Sequence, residues 1–343
     1  MSKKIELKDG DRILISRTDR LGDLILALPF IESIKERYPN CRVDVIASLY
    51  ASPILENNKK IDKILRVQND QLLANKMYKK DLLQKIKKEK YDVVIALFPE
   101  RHISGLFYKA DIPIRIGTAG RFHSIFFNTR LMHSRKKNVK HEYEYNLDFL
   151  SFFKKGKTIR QPRVYLTEKD LNGAYQILNE AGVKDRFIVL HPGSGGSAES
   201  WSFEKFIELY QLLEKQGIVL VASGSEKEGE MIDNVSDQLN VPVKKITGET
   251  DLRTLAAVLS LAEVVVANST GPLHLSVAVG TRVIGLYPSR KAMSPVRWGP
   301  LGKNDKVIQP EGIECNCPPK QCQCMELIEP KKVAQAIMEI MNS

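Results

Sequence analysis

The stretch VVVANSTGPLHLSVAVGTRVIGLYPS, residues 264–289, decides the fold. An apolar run, VVVA, stops at the polar Asn268, Ser269 and Thr270. Gly271 and Pro272 then open a segment with helical spacing, and Gly280 precedes a second apolar run, VIGL. Short apolar runs bounded by turn residues are strands buried on both faces, and strands that alternate with helices belong to a parallel sheet covered on both sides.

Working outward, the same alternation fills the second half of the chain. Helices at 166–182, 202–217, 229–239 and 252–262 are predicted to lead to strands FIVLHPGS (187–194), IVLVASG (218–224), VKKITG (243–248) and VVVANS (264–269). With VIGLYPS (283–289) they make a five-stranded Rossmann-like sheet, and an amphipathic helix closes the chain. The first half reads likewise: strands DRILIS (11–16), CRVDVIAS (41–48), KIDKILRV (60–67), YDVVIALF (91–98) and IPIRIGT (112–118), with a helix over 24–39 and a lysine-rich one, KKDLLQKIKKEK, over 79–90. HEYEYNLDFL (141–150) reads as a helix near the domain junction. KKGKTIRQP (154–162) is charged and turn-rich, so it is expected to link the domains. The expected division is residues 1–160, residues 161–325 and a terminal helix over 326–343.

The chain has 343 residues, 43% apolar and 27% charged, an ordinary globular balance for two domains. No stretch approaches the ~18 apolar residues of a membrane span. The start, MSKKIELKDGDRILIS, lacks an apolar signal core, so a cytoplasmic protein is expected. Charge is unevenly divided. Residues 1–165 hold 34 Lys and Arg against 19 Asp and Glu, a net +15, whereas the remainder is −4. The basic half is expected to meet an anionic partner. No nucleic-acid-binding motif accompanies this charge, so nucleic acid is not the expected partner. The lysines of 79–90 alone read as a solvated helix face. Cys315, Cys317, Cys322 and Cys324 form CxCxxxxCxC. Four thiolates could hold a metal, but each C-x-C is tighter than usual zinc spacing, and reduced, packed cysteines are expected.

In open parallel sheets, ligands bind beyond the carboxyl ends of the strands. Four loops there carry candidate residues. HPGSGGSAESW (191–201) can turn the backbone amides of Ser194, Gly195, Gly196 and Ser197 toward an anion, without being a Walker loop. NSTGPLHL (268–275) places Ser269, Thr270 and Gly271 at a helix start, where the hydroxyls can cap the helix, and His274 one turn inside. SGSEKEGE (223–230) offers Glu226 to ribose hydroxyls. RTDRLGD (17–23) offers Asp23 as a general base, with Arg17, Asp19 and Arg20 placed to position or neutralise a ligand.

These segments, in this order, together with RWGPLG (297–302) and the cysteine-containing tail, resemble glycosyltransferase family 9, the ADP-heptose:lipopolysaccharide heptosyltransferases. The resemblance covers nearly the whole chain. It implies a GT-B fold, with an N-terminal acceptor domain and a C-terminal nucleotide-sugar domain whose parallel sheets face a central cleft. It implies an inverting, metal-independent transfer of heptose or a related sugar, with no cofactor beyond an expected ADP-heptose donor, to a lipopolysaccharide core or glycolipid at the cytoplasmic face of the inner membrane. Asp23 matches the family's base, His274 its histidine and Glu226 its ribose-side glutamate. Arg17 and Arg20 are expected to engage the acceptor's anionic groups. Two positions depart from the pattern: Glu199 stands where a lysine is common, and Ser269 where an aspartate is usual. A carboxylate at 199 would repel a diphosphate unless it turns away or the donor differs, so the alternatives are a transferase with a different nucleotide-sugar donor or a catalytically silent glycan- or nucleotide-binding relative.

Overall fold

The computed structural model describes residues 4–120, 122–195, 199–313, 315 and 323–342, in two compact units, Met1–Tyr165 and Leu166–Ser343. Gly196, Ser197, Cys317 and Cys322, named above, lie outside the described residues.

The first unit runs β1 (Arg12–Arg17), α1 (Leu21–Ile25), α2 (Leu28–Arg37), β2 (Arg42–Ser48), β3 (Lys63–Val67), α3 (Asn69–Ala74), α4 (Lys76–Glu89), β4 (Val93–Ala96), α5 (Arg101–Lys109), β5 (Ile114–Thr118), β6 (Thr129–Leu131) and α6 (Glu142–Leu147). All neighbouring strands are parallel, in the order β3-β2-β1-β4-β5-β6. β1 and β4 are apolar and buried, as expected of inner strands covered on both faces. β6, with three residues, is too short to show any periodicity in the sequence. The lysine-rich α4 buries only Leu82 and Ile86, is capped by Asn75 through Met77 and Tyr78, and turns its lysines outward. That matches the reading of this run as a solvated face.

The expected linker is strapped to α2. Lys154 N donates to the Tyr38 hydroxyl (3.0 Å) and Ile159 N to Ser33 Oγ (2.7 Å), while Arg37 reaches Lys154 O (3.1 Å) and Thr158 Oγ1 (2.8 Å). These bonds carry the first unit on to Tyr165.

The second unit runs α7 (Glu168–Glu180), β7 (Phe187–His191), α8 (Phe203–Glu214), β8 (Val219–Ala222), α9 (Glu226–Leu239), α10 (Leu252–Leu261), β9 (Val264–Asn268), α11 (Gly271–Ala278), β10 (Arg282–Leu286), α12 (Pro295–Trp298), β11 (Lys306–Ile308) and α13 (Pro330–Met341). Its five parallel strands are ordered β11-β10-β9-β7-β8. The fifth is β11. The expected strand 243–248 joins the sheet only through an isolated bridge between Ala222 and Lys245, because it passes the end of β8 at a single residue. α13 belongs to this unit's core: Val333, Ile337 and Ile340 pack in one cluster with Trp201, whose indole N–H donates to Ile328 O (3.0 Å). Among the described residues, no helix is long and apolar enough to cross a membrane.

Candidate active site

Each sheet changes winding direction once. In the first unit β1 lies between β2 and β4, so the loops after β1 and β4 diverge to opposite faces; in the second the same holds for β7 and β9. The candidate loops at 17–23, 191–201 and 268–275 leave β1, β7 and β9 at these points, and the loop at 223–230 leaves the edge strand β8.

At the first switch point, Arg17 ends β1 and is 1% exposed. Its Nε donates to Asp19 Oδ1 (2.8 Å), its Nη1 to Glu142 Oε1 (3.2 Å) and Asn146 Oδ1 (3.0 Å), and its Nη2 to the Asp23 carboxylate. Glu142, fully buried at the start of α6, also accepts from Arg135 Nε (3.0 Å), and Asn146 Nδ2 donates to Leu26 O (3.0 Å). Thr18 Oγ1 donates to Glu100 Oε2 (2.7 Å), joining the loop after β1 to the loop after β4. The sequence suggested that Arg17 engages an acceptor, but it is buried and turned to protein partners instead. Burial and four protein acceptors make it the anchor of Asp19 and Asp23. Arg20 is exposed at the mouth of the same loop, and Asp23 sits in the first turn of α1, its side chain 15% exposed.

Three carboxylates thus share Arg17. Burial works against its charge, but Asp19, Asp23 and Glu142 outweigh burial and hold it firmly protonated. Burial pushes Asp19 up from 3.8 to about 7, with Arg17 pulling down and Asp23 pushing up. The two aspartates share the Arg17 guanidinium. If Asp23 is the base, kcat/KM falls on the acid side as its carboxylate takes up a proton. Asp19→Asn removes the like charge beside Asp23, which favours the ionised base, and moves this acid limb to lower pH. A pH–rate profile checks this, and an unmoved limb in the variant would exclude the pairing from catalysis.

At the second switch point, Asn268 is fully buried and clasps the glycine-rich loop at both ends. Its Nδ2 donates to Pro192 O (2.8 Å) and its Oδ1 accepts from Trp201 N (3.0 Å). Gly193 lets the Glu228 carboxylate pack against that loop: a Cβ there would lie 1.9 Å from Glu228 Oε1 and make that side chain shift. Gly195 has φ +52°, a left-handed conformation that glycine adopts without strain. Glu228 accepts from Ser225 N (2.8 Å) and Ser225 Oγ (3.0 Å). It is thus Glu228 that packs against the glycine-rich loop, whereas Glu226 is exposed at the first position of α9. His191, buried, faces Ser223 Oγ (2.9 Å); burial lowers its pKa against the pull of Glu228 and keeps the imidazole neutral.

Thr270 precedes α11 but does not cap it; its hydroxyl turns back to Asn268 O (3.2 Å). The side-chain cap expected from Ser269 and Thr270 is therefore missing, because Thr270 bonds backward and Ser269 is engaged with Tyr287. Gly271 opens the helix, and His274 is buried one turn inside. A helix start without a side-chain cap, beside a glycine turn, suits an anion. Glu199 does turn to a partner: it pairs with Arg290 beyond β10 (3.0 Å). Among the described residues, no three His, Cys, Asp or Glu side chains converge as a metal site. Cys315 and Cys324 are buried.

Residues 80–327 match glycosyltransferase family 9 (heptosyltransferase). A Haemophilus influenzae protein described as a candidate glycosyltransferase is 29% identical over 96% of both chains. Lipopolysaccharide heptosyltransferase 3 of Escherichia coli is 23% identical over 82% of this chain and 84% of its own. Among solved structures, a family 9 glycosyl transferase from Veillonella parvula superposes with a TM-score of 0.84 at 21% identity, covering 98% of each chain. E. coli ADP-heptose lps heptosyltransferase II gives 0.80 at 19% identity over 97% of this chain and 98% of that one. The two parallel α/β units are thus those of the GT-B class. With the family matched across most of its length, the chain belongs to glycosyltransferase family 9, the heptosyltransferases.

Proposed function

We propose that this protein transfers heptose, or a closely related sugar, from ADP-heptose to a lipopolysaccharide core or similar glycolipid, with inversion and without a metal or other cofactor. In this reading the donor lies at the second unit's switch point. The observation that carries it is the Asn268 clasp, which sets the turn at Ser194 and Gly195 beside the start of α11. Asp23, fixed by Arg17, takes the proton of an acceptor hydroxyl as its oxygen attacks the anomeric carbon. The bond from that carbon to the diphosphate breaks, and nearby backbone amides meet the departing charge. Inversion follows from a single displacement. Relatives named for lipopolysaccharide heptose transfer support the choice of donor and acceptor.

The same reading puts the protein at the cytoplasmic face of the inner membrane, as a peripheral partner of its lipid-linked acceptor. Phe122 (79% exposed), Ile125 (59%) and Met132 (83%) project from the segments after β5 and β6. Arg130, Lys137 and Lys140 accompany them in sequence. Apolar tips among cations suit an anionic lipid surface.

The test incubates purified protein with ADP-heptose and a heptose-free core glycolipid, alone and on anionic vesicles. A one-heptose mass increase, faster on vesicles, is the expected result, and Phe122→Asp with Ile125→Asp should remove the vesicle effect. Transfer from other sugar nucleotides alone would replace the donor assignment, and no transfer from any would mark a binding protein.

A further inference from the structure

Glu199 and Arg290 come from strands that are not neighbours. Glu199 lies in the loop after β7 and Arg290 in the loop after β10, while the sheet order places β9 between them. Two inter-strand spacings, about 10 Å in all, separate those strands. A contact of 3.0 Å between Arg290 Nη1 and Glu199 Oε1 therefore spans the mouth of β9, where Ser269 and Thr270 lead into α11. The side chains are only 16% and 13% exposed, so this is no loose surface pair of small consequence. An anion arriving at this mouth meets a guanidinium already matched with a carboxylate.

We infer that Glu199 is an internal stand-in for the donor's diphosphate: it holds Arg290 across the mouth of β9 in the ligand-free protein and yields it to phosphate when a nucleoside diphosphate binds. The inference rests on the donor reading of this edge. A guanidinium offers a planar fork that serves a carboxylate or a phosphate equally well, so the exchange keeps Arg290 paired in both states. It also accommodates a carboxylate at position 199 beside an anion site, because the repulsion is removed by moving one side chain.

Opposite effects of the two partners are the signature. Calorimetric titration of the full chain with ADP should show Glu199→Gln tightening the dissociation constant about 3- to 10-fold, since the internal competitor is gone. Arg290→Met should weaken it about tenfold or more, and Arg290→Lys, which keeps charge but loses the fork, should fall between wild type and Arg290→Met. If Glu199→Gln and Arg290→Met both weaken binding to a similar degree, the pair is a structural brace and the inference falls while the donor reading stands. Arg290→Lys binding at or above wild type also overturns it. If the wild-type protein binds neither ADP nor UDP nor GDP, the donor reading fails and takes the inference with it.

Discussion

Asp23→Asn is expected to lower kcat by roughly 10²- to 10⁴-fold, the range for loss of a positioned general base. The substitution is nearly isosteric, and its amide oxygen can still accept from Arg17 Nη2, so the loop after β1 should keep its shape. What disappears is proton-accepting capacity. ADP affinity should be unchanged, because the proposed donor loops belong to the other compact unit. Steady-state kinetics with a parallel ADP titration separates the outcomes. An unchanged kcat would remove Asp23 from the chemistry, and a joint loss of kcat and nucleotide affinity would point to disruption rather than to a missing base.

Arg17→Met should be the most destabilising single change at this edge, by about 3–5 kcal/mol, the cost of removing one partner from a buried ionic cluster. Glu142 is fully buried and would keep Arg135, but Asp19 and Asp23 would lose their shared cation. The sign with pH follows from the carboxylates. Without Arg17 the folded pKa of Asp19 rises further above its unfolded value, so the folded variant binds more protons than its unfolded chain. Stability is then regained as pH falls and lost as pH rises through the raised value, above the 7 already reached by Asp19. Denaturant unfolding near pH 5 and pH 8 should show a larger deficit at the higher pH. A small deficit equal at both would show that the cluster is not held by this charge. Arg17→Lys should recover only part of the loss, since an ammonium cannot reproduce a fork shared by three carboxylates and Asn146.

The errors in reading the sequence have specific causes. Residues 243–248, VKKITG, hold three β-branched residues like a true strand, yet they meet β8 at one bridge, while β11 on the far edge has only three residues. Glu228 was missed beside Glu226 because the two lie two apart in one polar segment, and only packing against Gly193 distinguishes them. Arg17 looked like a ligand-binding arginine because its partners Glu142 and Asn146 are 125 and 129 residues away.

By itself the sequence determined the two alternating α/β halves, the opposite charge of those halves, and the loops that stand at the strand mouths. Those features are local: apolar runs and the turn residues that end them are set by neighbours along the chain. Only the tertiary structure decided that Arg17 anchors Asp23 instead of meeting a ligand, that Asn268 clasps the glycine-rich loop, and that Glu199 faces Arg290, 91 residues away. Strand order brings such distant polar groups together in low-dielectric surroundings, where each must find a partner, and periodicity along the chain carries no record of which partner that is.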